Sequence, residues 1–273
     1  MTDIPILLTD NPAPHVRRLT LNRPDKRNAL SNALRAQIFA ALEAADTDES
    51  VRVIVLRGAG SCFSSGYDLA SLGDLPWHTA ANQSQWARHV VDGCFRMWDM
   101  AKPIIAQVHG WCLAGGSELA VACDLVYVAH DAKIGYPAVR TMAPPDNHYH
   151  VWLMGMRAAM EAMLTGDAMS GDEAVRLGFA NRAFEATALE AEVLAIAERI
   201  AKVDPELAQL NKRAVHRQME VMGMRAGLKT GTDLHGLGWH TKASRAFMAA
   251  MREGGVTKAL SGRDGAFGDY REG

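Results

Sequence analysis

VRVIVLRGAG, beginning at Val51, is the clearest strand signal in the chain, a β-branched and nearly unbroken apolar run closed by Gly-Ala-Gly. A short run of this kind predicts a strand covered on both faces of its sheet. VRRLTL, at 16–21, is also extended in character and ends in the turn-forming cluster NRPDKRN. Leu34, Ile38 and Leu42 then recur at every fourth position behind Ser31, which predicts a helix with a serine N-cap and an apolar stripe. PIIAQVHG from Pro103 reads as a strand, AGGSELAVACD as a helix and DLVYVAH as a third strand. Strand, helix and strand in succession imply parallel pairing through right-handed crossovers.

Residues 72–100, with Trp77, Trp86 and Trp98, read as a mostly helical insertion between two strands. After Asp131 the period turns helical. Trp152–Thr165 carries Met and Leu at helical spacing, and SGDEAVRLGF opens with Ser170 and Glu173 in capping-box register and stops at Gly178. From about Ala188 onward nearly every segment is helical, with a Gly-rich tail. The pattern predicts an α/β core over 1–200 and a helical region over 201–273, without repeats or low-complexity tracts.

Composition narrows the partners. Among 273 residues 48% are apolar and 22% charged, with a formal net charge of −2. Acids and bases are mixed, so no basic stripe points to nucleic acid. No apolar stretch approaches the roughly 20 residues that span a bilayer, and the start lacks a basic segment followed by a long apolar one. Cys62, Cys94, Cys112 and Cys123 show neither disulfide-like nor metal-like spacing. The expectation is a cytoplasmic protein with reduced thiols serving as small hydrophobes.

The candidate chemistry lies in HGWCLAGGSELAVACD, where Glu118 interrupts a run of small and apolar residues. Gly115 and Gly116 precede it at a helix start, where N–H groups lack intrahelical partners and suit an oxyanion or phosphate. Ala114, Val121 and Ala122 share Glu118's helical face, so desolvation raises its carboxyl while the helix terminus lowers it, and the balance stays open. By itself the motif is also compatible with a surface acid in a first helical turn. A second stretch, GAGSCFSSGYDL, follows the strongest strand and offers a small residue and a glycine, Ser65 and Gly66. Alone it reads as an ordinary turn; with the first motif it suggests an oxyanion hole built by N–H groups from two loops.

LNRPDKRNAL, FSSGYDL, PIIAQVHGWCLAGGSELAVACD and LTGDAMSGDEAVRLGFANRAF, in this order over about 16–185, resemble the crotonase superfamily of enoyl-CoA hydratases and isomerases. The resemblance implies an α/β spiral of ββα units with a helical C-terminal region that forms trimers, often paired into hexamers. It also implies acyl-CoA thioester substrates and an enolate-like intermediate; the leading reading uses no metal and no redox cofactor, and the composition argues against nucleic-acid and membrane partners. Carried onto this chain, the oxyanion donors are the N–H groups of Ser65 and Gly115. Arg27 and Ala29 line the CoA path; Gly66, Asp68, Leu69, Gly116 and Ala138 belong to the substrate pocket; Glu118 is the first catalytic glutamate.

One departure bears on the reaction. The hydratases place a second glutamate directly after a proline and a glycine-rich turn farther on. Here the segment is IGYPAVRTMAPPDNHYH, with Ala138 at the glutamate position and Pro145-Asp146-Asn147 in the turn. Asp146 or His148 is a candidate replacement, and Asp146 is equally suited to capping the next helix. Hydration, a single-glutamate isomerisation and acyl-CoA binding without efficient turnover all follow from this pattern. Hydrolysis, decarboxylation or cleavage of a diketone is a further reading, with His109, His148 and His150 as candidates. Tyr67, Tyr136, Trp86 and Trp111 are candidate pocket walls or simple packing. Lys229, Lys242 and Lys258 could offer a cation to CoA phosphates or stand as surface charges; Arg140 is given no role.

Overall fold

The computed structural model describes residues 4–74, 83–268 and 270; Trp77 lies outside them. The strand predicted from Val51 is β3 (Val53–Gly58), central in a six-stranded sheet. With it run β1 (Leu7–Ala13), β2 (Val16–Leu21), β4 (Ile104–Val108), β6 (Leu125–Ala129) and β9 (Arg182–Phe184), in the order β1-β2-β3-β4-β6-β9. All pairs from β2 to β9 are parallel, and only β1 runs antiparallel to its neighbour. Strand β1 escapes the sequence pattern because its burial is irregular: Thr9, Asp10 and Asn11 face solvent, and its register with β2 shifts between Asp10 and Ala13.

A second sheet of three short strands, β5 (Trp111–Leu113), β7 (Lys133–Gly135) and β8 (Met169–Ser170), joins in the order β5-β7-β8. Runs of two or three residues carry no readable period, so these strands are set by long-range pairing. From β4 to β7 consecutive strands alternate between the sheets. After β4 and β5 comes α3 (Gly115–Ala122); after β6 and β7 comes α4 (His150–Thr165). This alternation is the expected spiral of ββα units.

Helix α1 (Asn32–Thr47) buries Leu34, Ile38 and Leu42 as its spacing predicts, and the Ser31 side chain accepts from the Leu34 N–H. The insertion contains α2 (Gln83–Asp99), in which Trp86 and Trp98 are buried. Helix α5 (Gly171–Leu177) has both hydrogen bonds of the Ser170–Glu173 capping box and ends at Gly178 with φ 87°. Helix α6 (Leu189–Ala201) packs across β3, β4 and β6. The remaining chain forms α7 (Pro205–Val221), α8 (Met224–Gly238) and α9 (Lys242–Asp264), with α8 lying against α2. Among the described residues no helix is long and apolar enough to cross a membrane, and all four cysteines are free and buried.

Candidate active site

Two backbone turns meet first. Ser64 and Cys112 form an isolated parallel bridge, so the turn after β3 is stitched to β5 just ahead of α3. Gly66 adopts φ 100°, and a Cβ there would lie 2.7 Å from the Leu113 carbonyl oxygen and 3.1 Å from the Gly115 nitrogen. Only glycine combines that dihedral with that approach. A Cβ on Gly115 would in turn meet the Tyr67 ring at 2.6 Å. The two motifs singled out in the sequence are therefore in direct contact.

The donor expected of Ser65 requires correction. Its N–H is given to the Arg27 carbonyl at 2.9 Å, because Arg27 and Asn28 turn through positive φ and aim that carbonyl at the Ser65 segment. Two residues on, Tyr67 forms a parallel bridge with Leu30 in which Gly66 and Asp68 make the hydrogen bonds. The Tyr67 N–H makes no hydrogen bond among the described residues. Gly115, first residue of α3, has no intrahelical acceptor for its own N–H.

Glu118 is 1% exposed, in the first turn of α3. The Tyr67 hydroxyl donates to its Oε2 at 2.7 Å and the Asn147 N–H donates to its Oε1 at 3.1 Å. Asp146, also 1% exposed, brings its carboxyl within hydrogen-bond reach of Glu118. Burial and the Asp146 charge drive the Glu118 carboxyl well above its ordinary range, against the opposing pull of its two donors. Burial also lifts Asp146, to about 7, although Arg35 and the Tyr136 hydroxyl pull it down. When both carboxyls are ionised, neither Asp146 oxygen finds a donor among the described residues beyond the weak pull of the Tyr136 hydroxyl. One proton held between the two groups supplies it, and the pair titrates as a unit.

Asp146 caps no helix. Helix α4 begins at His150 behind Tyr149, without a side-chain cap. The loop is held instead by Asn147, whose side-chain amide donates to Cys94 Sγ at 3.3 Å. Ala138 is buried in the 3₁₀ turn Pro137–Arg140, beside Tyr136. The wall continues through Trp86, set edge-on to Tyr67 at 5.2 Å, and the Arg35 guanidinium 4.5 Å from the Trp86 ring centre.

Other candidates fall elsewhere. Asp68 pairs with Arg23 at 2.9 Å and accepts from the Ala70 N–H at the head of a 3₁₀ turn that starts at Leu69. Arg27 is exposed and Ala29 half-buried just after the 3₁₀ turn Pro24–Lys26, and Gly116 is buried against the Ser64 carbonyl. His109 contacts the Gly60 carbonyl at 3.0 Å; Trp111 packs on Tyr270 and Lys133. Burial lowers His150 to about 4 and lowers His148, which packs against Gly231. Lys229 lies 3.4 Å from Asp92. The buried Arg140 side chain pairs with Asp167 and Asp264, tying the end of α9 to the core. The histidine that does reach the carboxyl pair is His235 of α8, with Nε2 3.3 Å from Asp146 Oδ1. Nothing in the local pattern of α8 marks it out, because its partner lies 89 residues earlier.

Among the described residues no group of three or more His, Cys, Asp and Glu side chains is placed to hold a metal. The comparisons fit this geometry. The family model described as enoyl-CoA hydratase/isomerase matches residues 13–255. The 2,3-dehydroadipyl-CoA hydratase of Escherichia coli is 32% identical over 216 residues, covering 77% of this chain and 81% of that protein. The mevalonyl-coenzyme A hydratase of Aspergillus fumigatus is 33% identical over 217 residues, covering 78% and 79%. A crystal structure of an enoyl-CoA hydratase from Mycobacterium smegmatis superposes with a TM-score of 0.89 at 30% identity, over 98% of this chain and 96% of that one. With the ββα spiral and both glycine turns in place, the chain belongs to the enoyl-CoA hydratase/isomerase family.

Proposed function

We propose that the protein adds water across the double bond of a 2-enoyl-CoA thioester, with Glu118 and Asp146 as its acid–base pair. The observation that carries this reading is the pair itself: two buried carboxyls facing each other, two formed hydrogen bonds donated to Glu118 and only the weak pull of the Tyr136 hydroxyl on Asp146. Hydration needs a base for the water proton and an acid for the α carbon, and a pair sharing one proton near neutral pH holds both.

In this reading Glu118 takes a proton as the water oxygen bonds to the β carbon. The alkene electrons move through the α carbon onto the thioester oxygen, which rests between the N–H groups of Tyr67 and Gly115. The enolate then collapses, taking the Asp146 proton at the α carbon. A proton passes back from Glu118 to Asp146 through their contact and restores the site. Asp146 thus does the work of the second glutamate replaced by Ala138. Arg27, Ala29, Leu69 and Gly116 are assigned to the CoA and acyl path by the resemblance, and no cofactor enters the reaction.

A second reading, in which one carboxyl moves a proton between the α and γ carbons, is favoured by the buried methyl of Ala138 where the resemblance expects an acid. The test of both is incubation with crotonyl-CoA and with a 3-enoyl-CoA while the conjugated thioester absorbance is followed. Loss of absorbance from crotonyl-CoA, abolished in Glu118→Gln and in Asp146→Asn, supports hydration. Absorbance gained from the 3-enoyl thioester without hydration of crotonyl-CoA sinks it in favour of isomerisation. CoA binding without either change leaves only the non-turnover reading.

We also infer a cytoplasmic homotrimer or dimer of trimers. The support is the free cysteines and the exposed Val151, Met156, Met160 and Leu164 of α4. The division at about residue 200 stands as an organisational proposal, in which 201–273 serves assembly and, through His235, the site.

A further inference from the structure

His235 sits on α8, 4% exposed, with both ring nitrogens engaged. Its Nδ1 lies 2.7 Å from the Pro144 carbonyl oxygen, and the Trp239 indole N–H approaches its Nε2 at 2.8 Å. An indole nitrogen can only donate and a carbonyl can only accept, so the neighbours assign the tautomer: hydrogen on Nδ1, lone pair on Nε2. Burial holds the ring neutral. Nε2, whose lone pair accepts from Trp239, lies 3.3 Å from Asp146 Oδ1. Ionised, Asp146 would face a ring nitrogen with no hydrogen to give; protonated, it can donate to Glu118. Glu118 has the opposite surroundings, with the Tyr67 hydroxyl and the Asn147 N–H both donating to it.

We propose that His235 is a positioning residue: its Nε2, kept without a hydrogen by Trp239 and Pro144, denies Asp146 a donor, makes Asp146 the proton-bearing member of the pair and leaves Glu118 as the base. The assignment of acid and base in the hydration reading rests on this asymmetry, and the asymmetry is contributed by the C-terminal helical region. The same histidine fixes the loop, since its Nδ1–H anchors the Pro144 carbonyl two residues before Asp146. Several titratable and charged groups face the pair. Arg35 on α1, Tyr67 after β3, Cys94 on α2, Glu118 on α3, Tyr136 after β7 and His235 on α8 all act on it, and His148 acts through His235. His235 differs from them in presenting a neutral nitrogen kept without a hydrogen by two further bonds.

The test rests on the hydration reading only in its last step. The full-length protein is labelled with carboxyl-13C aspartate, the Asp146 signal is identified by its loss in Asp146→Asn, and its titration is followed without substrate. In His235→Gln, Oε1 takes over the Trp239 N–H and the amide N–H2 turns toward Asp146. The expected result is a midpoint lowered by about one pH unit, a tenfold shift in the protonated fraction. Trp239→Phe removes the competing donor from Nε2 and raises the midpoint instead, and this variant carries the test if His235→Gln does not fold. An unchanged midpoint in a folded variant, or shifts of the same sign in both, overturns the proposal. If the wild type hydrates enoyl thioesters, the alkaline limb of kcat moves with each midpoint while KM stays within about twofold, whereas a packing role lowers kcat equally at all pH values. Should no hydration occur, the titration still decides for or against His235, and only the hydration reading falls.

Discussion

Tyr67 acts on Glu118 from 51 positions away in the chain, its hydroxyl donating to Oε2 at 2.7 Å, while its ring lies against the Cα of Gly115. A single side chain thus ties the proposed base to the turn whose N–H groups are proposed to hold the thioester oxygen. Tyr67→Phe keeps the ring and the backbone and removes only the hydroxyl. A hydrogen bond to a charged group contributes ~1.5–3 kcal/mol. Steady-state kinetics on a 2-enoyl-CoA should therefore show kcat lower by about ten- to a hundredfold, with KM nearly unchanged. A kcat within a factor of two of wild type would mean the hydroxyl is not needed by the base.

Gly115→Ala should be more damaging than its size suggests. The added methyl meets the Tyr67 ring at 2.6 Å, so ring, hydroxyl and N–H must all move. Loss of an oxyanion donor costs about 10²–10³ in kcat. The expectation is a fall of at least that order with melting only modestly lowered, by the ~1–3 kcal/mol of an overpacked contact. Activity retained above a tenth of wild type would place the thioester oxygen elsewhere.

Stability and activity should oppose each other at Asp146. Its carboxyl titrates near 3.8 in the unfolded chain and at about 7 in the fold, so the folded form binds the extra proton between those values. Stability from this group is complete below the unfolded value and declines as pH rises through 7. At ~1.4 kcal/mol per pH unit the loss by pH 8 reaches up to about 4 kcal/mol. Asp146→Asn should accordingly melt higher than wild type at pH 8, equal it near pH 4, and be slowed about 10²–10⁴-fold in turnover. A variant that melts lower at pH 8 would show that the carboxylate is better accommodated than its surroundings imply.

Helix α4 leaves Met156, Met160 and Leu164 exposed in the single chain. If a second copy covers this face, Met156→Lys with Met160→Lys should convert the trimer or hexamer to smaller species by sedimentation. Wild-type protein sedimenting as a monomer would remove the premise. The glycine at 155, at φ 75° inside α4, turns the helix at the same place and so sets the angle at which the face is presented.

What the sequence determined by itself is whatever short-range physics fixes. The β-branched run at Val53–Gly58, the four-residue stripe of α1 and the Ser170–Glu173 capping box each contain their own reason for being strand, helix or helix start. Glycines flanking a lone acid were enough to locate the site, because only glycine tolerates the approach found at Gly66 and Gly115. The tertiary structure decided which groups meet at the candidate site. The Ser65 N–H is spent on Arg27, Asp146 meets Glu118 rather than capping α4, and His235 arrives on a helix docked against α2. Each outcome depends on long-range contacts and on the loss of water around them. A carboxyl beside Ala and Val in sequence can be ionised or neutral; burying it next to a second carboxyl and away from solvent forces the two to share a proton.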